Sequence, residues 1–252
     1  MAFYVPAGGD RFESTEHTRG PWNASAQHGG PPAALLGRAV EATARPGMRV
    51  ARLTFDIARP VPIAVLEVTA SVVREGRSVM VVHAAIEPYM RCTALLIRAS
   101  PDVAPDVDTA SPLRLGDAVS KPFFPVPYEV GYHSAMEVRF SAGSFREPGP
   151  ATAWMRMRVP LVDGEQPSPL SRVLVAADSG NGVSSALDFR QYLFINPDLS
   201  VHLLRHPTGE WVCLRAATSI DGAGIGLADT VLYDEHGRIG RSAQSLLVGP
   251  RA

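Results

Sequence analysis

Lysine is almost missing from this chain. Of its 24 basic residues only Lys121 is a lysine, a bias that fits a GC-rich genome rather than a chemical need. The formal net charge is -1, so there is no positive excess from which to build a nucleic-acid footprint. There are 2 cysteines, Cys92 and Cys213, too few for a disulfide framework or a cysteine-built zinc site and in keeping with a reducing cytosol. No apolar run approaches the ~18 residues of a membrane-spanning helix. Met1-Ala2-Phe3-Tyr4-Val5-Pro6 shows no basic stretch leading into an apolar core, so no signal peptide is expected and the cytoplasm is the expected location. What is present is a composition for a packed soluble core, 46% hydrophobic and 19% charged over 252 residues, enough for one large domain or two small ones.

The first 27 residues read as polar and irregular, anchored by Phe12 and Trp22. His28-Gly29-Gly30-Pro31-Pro32 follows, and then Leu36, Ala39, Val40 and Ala44 at helical spacing. Proline is tolerated in a first helical turn, where its missing N–H costs nothing, so a glycine-rich loop opens a helix that stops before Pro46-Gly47. The period then changes to two. Leu53, Phe55 and Ile57 alternate with polar residues, as do Leu66, Val68, Ala70 and Val72. Arg74 to Arg77 makes a turn, Val79 to Ala85 continues the alternation, and Cys92 to Arg98 is a further apolar run. One helix followed by four antiparallel strands is the expected order.

Residues 100 to 128 are rich in proline, aspartate and serine and read as a linker. The plan then recurs. Strands are expected near Met136–Phe140 and Ala153–Val159, a second glycine-rich loop at Asp178-Ser179-Gly180-Asn181-Gly182, and a second helix starting within Val183–Phe189. Four more strands follow, the last two joined by a hairpin at Asp234-Glu235-His236-Gly237. A loop, helix and strands occurring twice suggest a degenerate internal duplication of an α+β unit. Two such units side by side can continue one sheet into the other, which hides edge strands.

At this level of detail the chain resembles the acyl-CoA thioesterase superfamily in its tandem, double-hotdog form. The likeness rests on Gln27-His28-Gly29-Gly30-Pro31-Pro32-Ala33-Ala34-Leu35-Leu36, Arg59-Pro60, Val73 to Ser78, and Ala176-Ala177-Asp178. It continues through Asn196 to His202, Gly209-Glu210-Trp211 and Arg241 to Leu247. It implies a double hotdog, with one repeat over residues 1–112, a linker over 113–128 and a second repeat over 129–252. Thioesterases of this type use an Asp, a Ser or Thr, and a Gln to hold a water for attack on the thioester. Carried over residue by residue, these fall on Asp198, Thr218 and Gln244, with Ser219 as the alternative hydroxyl after a one-residue shift. Asp178 and Asp188 lie upstream and leave the choice of acid open.

These residue types suit the chemistry. A carboxylate such as Asp198 can take a proton from water. Thr218 and Gln244 can fix that water in line without acting as bases. Backbone N–H groups at the helix start, at Gly29 and Gly30, are the expected oxyanion and substrate contacts. His28 reads as a loop hydrogen-bonder and is given no role as base. No metal or cofactor is expected. The partners expected are an acyl-CoA substrate, entering an apolar tunnel between the repeats, and a second copy of the chain in a homodimer or higher assembly. The activity expected is hydrolysis of an acyl-CoA to free acid and CoA. A non-catalytic acyl-CoA or lipid-binding module on the same fold is the alternative. A hydratase or dehydratase is a third, which should show an Asp–His pair near a helix entry.

Overall fold

The computed structural model describes residues 1–100, 103–105, 107 and 113–251. Contrary to the expected irregular start, the N-terminus forms two short strands, β1 (Tyr4–Pro6) and β2 (Arg11–Ser14). Phe12 and Ser14 point inward and Arg11 and Glu13 outward, a true alternation but too brief to register as one in the sequence. Phe3 and Tyr4 are fully buried, and their amides donate to Pro160 and Leu161 in the other half of the chain.

Helix α1 (Gly30–Thr43) begins where the prolines place it. Every residue from Gly30 to Gly37 is buried, as is Val40. A helix apolar around its circumference belongs inside a protein, and each buried Leu or Val here contributes about 1.5–3 kcal/mol. Strand β3 (Met48–Ile57) follows, then β4 (Val65–Glu67), β5 (Thr69–Glu75), β6 (Val79–Ile86) and β7 (Met90–Arg98). β4 leaves the main sheet to pair with β2, so what reads as one strand over 66–72 is divided in two.

Of the expected linker, residues 101, 102, 106 and 108–112 lie outside the described residues. The described part is built into the C-terminal half. β8 (Val119–Ser120) pairs with a later strand, and Phe124 is buried in the core. A single turn, α2 (Tyr132–Ala135), leads into β9 (Met136–Ser144) and β10 (Glu147–Met157).

The second helix departs from expectation. It is α3 (Pro169–Ala177), which precedes the Gly180 loop instead of following it. Ser168 caps it by accepting from the Ser171 amide, with Pro169 at the first helical position. Beyond the loop there is only a turn, α4 (Gly180–Val183). The remaining strands are β11 (Tyr192–Ile195), β12 (Asp198–Leu203), β13 (Val212–Ile220), β14 (Ile225–Asp234) and β15 (Gly237–Pro250). The predicted hairpin joins β14 to β15, with Asp234 opposite Gly237.

A 12-stranded antiparallel sheet results, in the order β5-β6-β7-β3-β12-β15-β14-β13-β10-β9-β8, with β11 also on β15. β3 and β12 are the seam, where a strand from each half of the chain pairs from Asp198–Asp56 to His202–Arg52. The sheet curls around α1 and α3, which pack on each other. They approach closely because glycine faces the contact. A Cβ at Gly37 would come within 2.3 Å of Leu174 Cδ1, and one at Gly30 within 2.3 Å of the Val175 carbonyl oxygen.

Candidate active site

The close crossing of the helices brings the start of α1 against the end of α3, and the chemistry gathers there. Asp178 is the C-cap of α3 and only 5% exposed. Its Oδ1 accepts from Asn196 Nδ2 at 2.9 Å and from Gln244 Nε2 at 3.3 Å. The backbone N–H groups of Gly29 and Gly30 also hydrogen-bond the carboxylate. Its Oδ2 lies 3.2 Å from His28 Nδ1. Burial pushes the Asp178 carboxyl up to about 6; the bonds from Asn196, Gly29, Gly30 and Gln244 pull the other way. Burial likewise pushes the His28 imidazole down to about 3, so it is neutral at physiological pH.

The support around this pair is largely buried and hydrogen-bonded. His28 stacks flat on Tyr132, centroids 3.7 Å apart and planes at 2°. The Tyr132 hydroxyl donates to the Val175 carbonyl and meets Ser179 Oγ, each at 2.8 Å. Gln244 is 1% exposed, and its Nε2 also donates to the Asp178 carbonyl at 3.0 Å. Its Oε1 accepts from the Asn181 amide at 3.0 Å. One side chain on β15 thus holds both ends of the turn from α3 into α4. Asn196 also donates to the Asp198 carbonyl, which fixes its amide plane.

Asp178, His28, Gly29, Asn181 and Asn196 line a cavity of about 410 Å³. The rest of the wall is mainly apolar, including Trp22, Ile57, Val61, Met90, Ile195 and Leu247, with Arg59 at its exposed edge. A buried carboxylate facing an apolar cavity is an arrangement for proton transfer from a bound water.

The residues expected from the sequence divide. Gln244 is at this centre. Asp198 is not. On β12 the side chains of Leu199, Val201 and Leu203 are buried, while Asp198, Ser200 and His202 lie on the other face. Asp198 Oδ1 accepts from the Ser245 amide at 2.6 Å, and Ser245 is exposed next to inward-facing Gln244. Strand alternation therefore places the sheet between Asp198 and Gln244. Thr218 does face inward, and Ser219 outward. Thr218 lies in register with Ala228, and Ala228 with Gln244, so two strand spacings, roughly 10 Å, separate Thr218 from the centre. Its hydroxyl pairs with Ser184 Oγ at 2.8 Å. Gly29 and Gly30 are at the centre, but their amides turn to Asp178, and Gly30 N also donates to His28 Nδ1 at 3.1 Å.

Asp178 and Asn196 were legible only in part. Both fall inside segments that carry the family resemblance, yet neither residue type singles itself out there. His28 has no acidic neighbour in sequence and gains one only through the α1–α3 crossing. Asp188, the other upstream acid, is exposed and accepts from the Arg190 amide in a turn.

Comparisons with known proteins agree with this architecture. The chain is similar in structure to a candidate thioesterase II from Thermobifida fusca, with a TM-score of 0.77 and 18% identity over 98% of this chain and 95% of that one. It is similar to a protein of unknown function with a hot dog fold from Alicyclobacillus acidocaldarius, with a TM-score of 0.71 and 18% identity over 98% and 95% of the two chains. An acyl-CoA thioesterase II from Mycobacterium marinum aligns with a TM-score of 0.63 and 16% identity over 96% and 93%. At such identities the likeness establishes the hotdog fold. No curated protein matches the sequence. Family models match on both sides of the seam: the acyl-CoA thioesterase N-terminal domain over residues 18–97 and the C-terminal domain over 107–248, the second alone more than half of the chain. By that match the chain belongs to the acyl-CoA thioesterase family.

Proposed function

We propose that the protein hydrolyses an acyl-CoA thioester to free acid and CoA, with Asp178 as general base. The observation that carries this reading is the buried Asp178 carboxylate, gripped by the Gln244 and Asn196 amides and facing a mostly apolar cavity. Ionised Asp178 takes a proton from water as the water oxygen bonds to the thioester carbon. The tetrahedral intermediate then expels the thiolate, the C–S bond breaks, and the proton on Asp178 passes to sulfur. Gln244 and Asn196 act as positioning residues that hold the carboxylate in one rotamer. The resemblance implied a hydroxyl beside the Asp and Gln; the amide of Asn196 occupies that role in this proposal. The Gly29 and Gly30 amides steady the base, a favourable charge–dipole arrangement at a helix start. The architecture is read as two hotdog repeats, 1–112 and 129–252, joined by 113–128, with the site where their helices meet.

The test is thiol release across a panel of acyl-CoA chain lengths. Release with no chain length would sink the hydrolase reading and favour a binding module. Within the active range, log kcat/KM should fall with unit slope as pH drops through about 6, because protonated Asp178 cannot accept a proton. His28, already neutral, adds no limb above about 3. A flat profile between pH 5 and 7, on the order of one unit either side of that value, would exclude Asp178 as base.

A second reading is favoured by one contact. The 3.2 Å approach of His28 Nδ1 to Asp178 Oδ2 supplies the Asp–His pair expected of a hydratase. That reading requires an enoyl-CoA to lose its conjugated absorbance on incubation with the protein without thiol release. As for partners, among the described residues no helix is long and apolar enough to cross a membrane. Ile195, Leu247 and Ile225 form an exposed apolar row across β11, β15 and β14. We propose that a second copy of the chain covers it, and light scattering showing only a 26.9 kDa species would refute that.

A further inference from the structure

We propose that Phe189 sets the length of the acyl chain the protein accepts, by walling off a second cavity from the one that holds Asp178. The proposal rests on the thioester ligand assigned above. Trp22 lines the cavity at Asp178, and its ring lies 5.0 Å from that of Phe189. On the far side Phe189 stacks on Phe124, centroids 4.5 Å apart and planes at 19°. Phe189 and Phe124 themselves line the second cavity, of about 250 Å³. Its other apolar walls are Pro125, Phe145, Pro148 and Leu187, and the charged residues Arg146, Glu147, Asp188 and Arg190 stand around it. The Trp22–Phe189 contact therefore stands between the two spaces.

The partition is held from the C-terminus. The Arg251 guanidinium lies 4.4 Å over the Phe189 ring and 5.4 Å from the Trp22 ring centroid, and its Nε donates to the Phe189 carbonyl at 2.7 Å. The backbone of Phe189 lies in neither helix nor strand, so the ring owes its place to these contacts. A saturated chain growing from the thioester through the apolar cavity meets rings that are braced from behind. Each methylene that cannot be buried forfeits about fourfold in affinity, the equivalent of ~0.8 kcal/mol. Removing the Phe189 ring would join the two cavities and admit the distal carbons.

The test uses S-alkyl-CoA thioethers of increasing chain length, which bind without being cleaved. Affinities are measured calorimetrically for the whole wild-type chain, Phe189→Ala and Phe189→Leu. Wild type should gain affinity with length and then stop. Phe189→Ala should keep gaining, binding thioethers beyond the wild-type limit at least about tenfold more tightly than wild type does, with Phe189→Leu between. Trp22→Leu opens the same wall from the other side and replaces the pair if thermal melts show that they do not fold. An unchanged length limit in folded variants overturns the proposal. Absence of binding of any thioether by wild type overturns it together with its ligand class. An extended limit in a protein that releases no thiol from acyl-CoA leaves the proposal standing and removes the hydrolase reading instead.

Discussion

Asp178→Asn should lower kcat by about 10²–10⁴, the usual contribution of a positioned general base, while Asp198→Asn keeps turnover near wild type. The contrast is sharp because both residues are aspartates flanking the same turn-and-strand segment and bonded to the same Asn196 side chain. Asp178 faces the cavity; Asp198 caps the Ser245 amide on the outer face. The Asn substitution keeps an acceptor for Gln244 and Asn196, and although one oxygen facing the Gly29 and Gly30 amides is lost, it also removes a buried charge. The variant's stability should even benefit at neutral pH. The folded carboxyl titrates near 6, above the ~3.9 of an unfolded aspartate, so holding it ionised costs on the order of 3 kcal/mol at pH 7. In the window from about 6 down to about 4 the folded chain binds a proton that the unfolded chain does not. Wild type therefore gains stability relative to the Asn variant as pH falls through that window. Steady-state kinetics and thermal melts of both variants check this. Equal activity losses in the two, or loss only in Asp198→Asn, would return the base to the outer face and refute the site.

Gly30→Ala should be among the most damaging single-methyl changes in the chain. The added Cβ would stand 2.3 Å from the Val175 carbonyl oxygen and 3.0 Å from its carbon, a backbone that cannot rotate away like a side chain. The helices must part. Overpacking of this kind costs about 1–3 kcal/mol. Parting them also carries the Gly29 and Gly30 amides and His28 away from Asp178. A misplacement of about 1 Å at a reacting centre is worth roughly 10²-fold in rate. Both effects should therefore appear together, a lower melting temperature and a lower kcat. Gly249→Ala, whose Cβ would meet nothing within 4 Å, is the control and should be neutral. A Gly30→Ala variant that is as stable and active as the control would show that the α1–α3 crossing does not position the site.

Much of the fold was legible because it is written in local periodicity. The alternation in Leu53, Phe55 and Ile57, the prolines opening α1, and the turn residues at Asp234–Gly237 act within a few positions, where side-chain and backbone sterics decide between helix, strand and turn. The same locality explains why Thr218 and not Ser219 faces inward once β13 exists: adjacent residues in a strand cannot share a face. The second helix was misplaced because glycines at 180 and 182 read as a helix-opening loop like that at 29 and 30. The real capping signal is Ser168-Pro169, upstream.

Which aspartate meets Gln244 was not a local question. Asp198 and Asp178 have comparable local signatures, both beside turn-forming residues. The choice depends on the face to which β12 turns, and that face follows from its pairing with β3 in the other half of the chain and with β15. A register one residue different would have turned Asp198 inward and Leu199 into solvent, which the burial of Leu199, Val201 and Leu203 forbids. The raised carboxyl of Asp178 and the neutral imidazole of His28 are likewise products of burial, which arises only when α1 and α3 close on each other. Local period determined that a helix opened by prolines would be followed by antiparallel strands, and the family resemblance singled out Gln244. Long-range pairing decided what Gln244 would hold, since the face a strand presents and the solvent a carboxylate loses are properties of its neighbours in space, not of its own residue type.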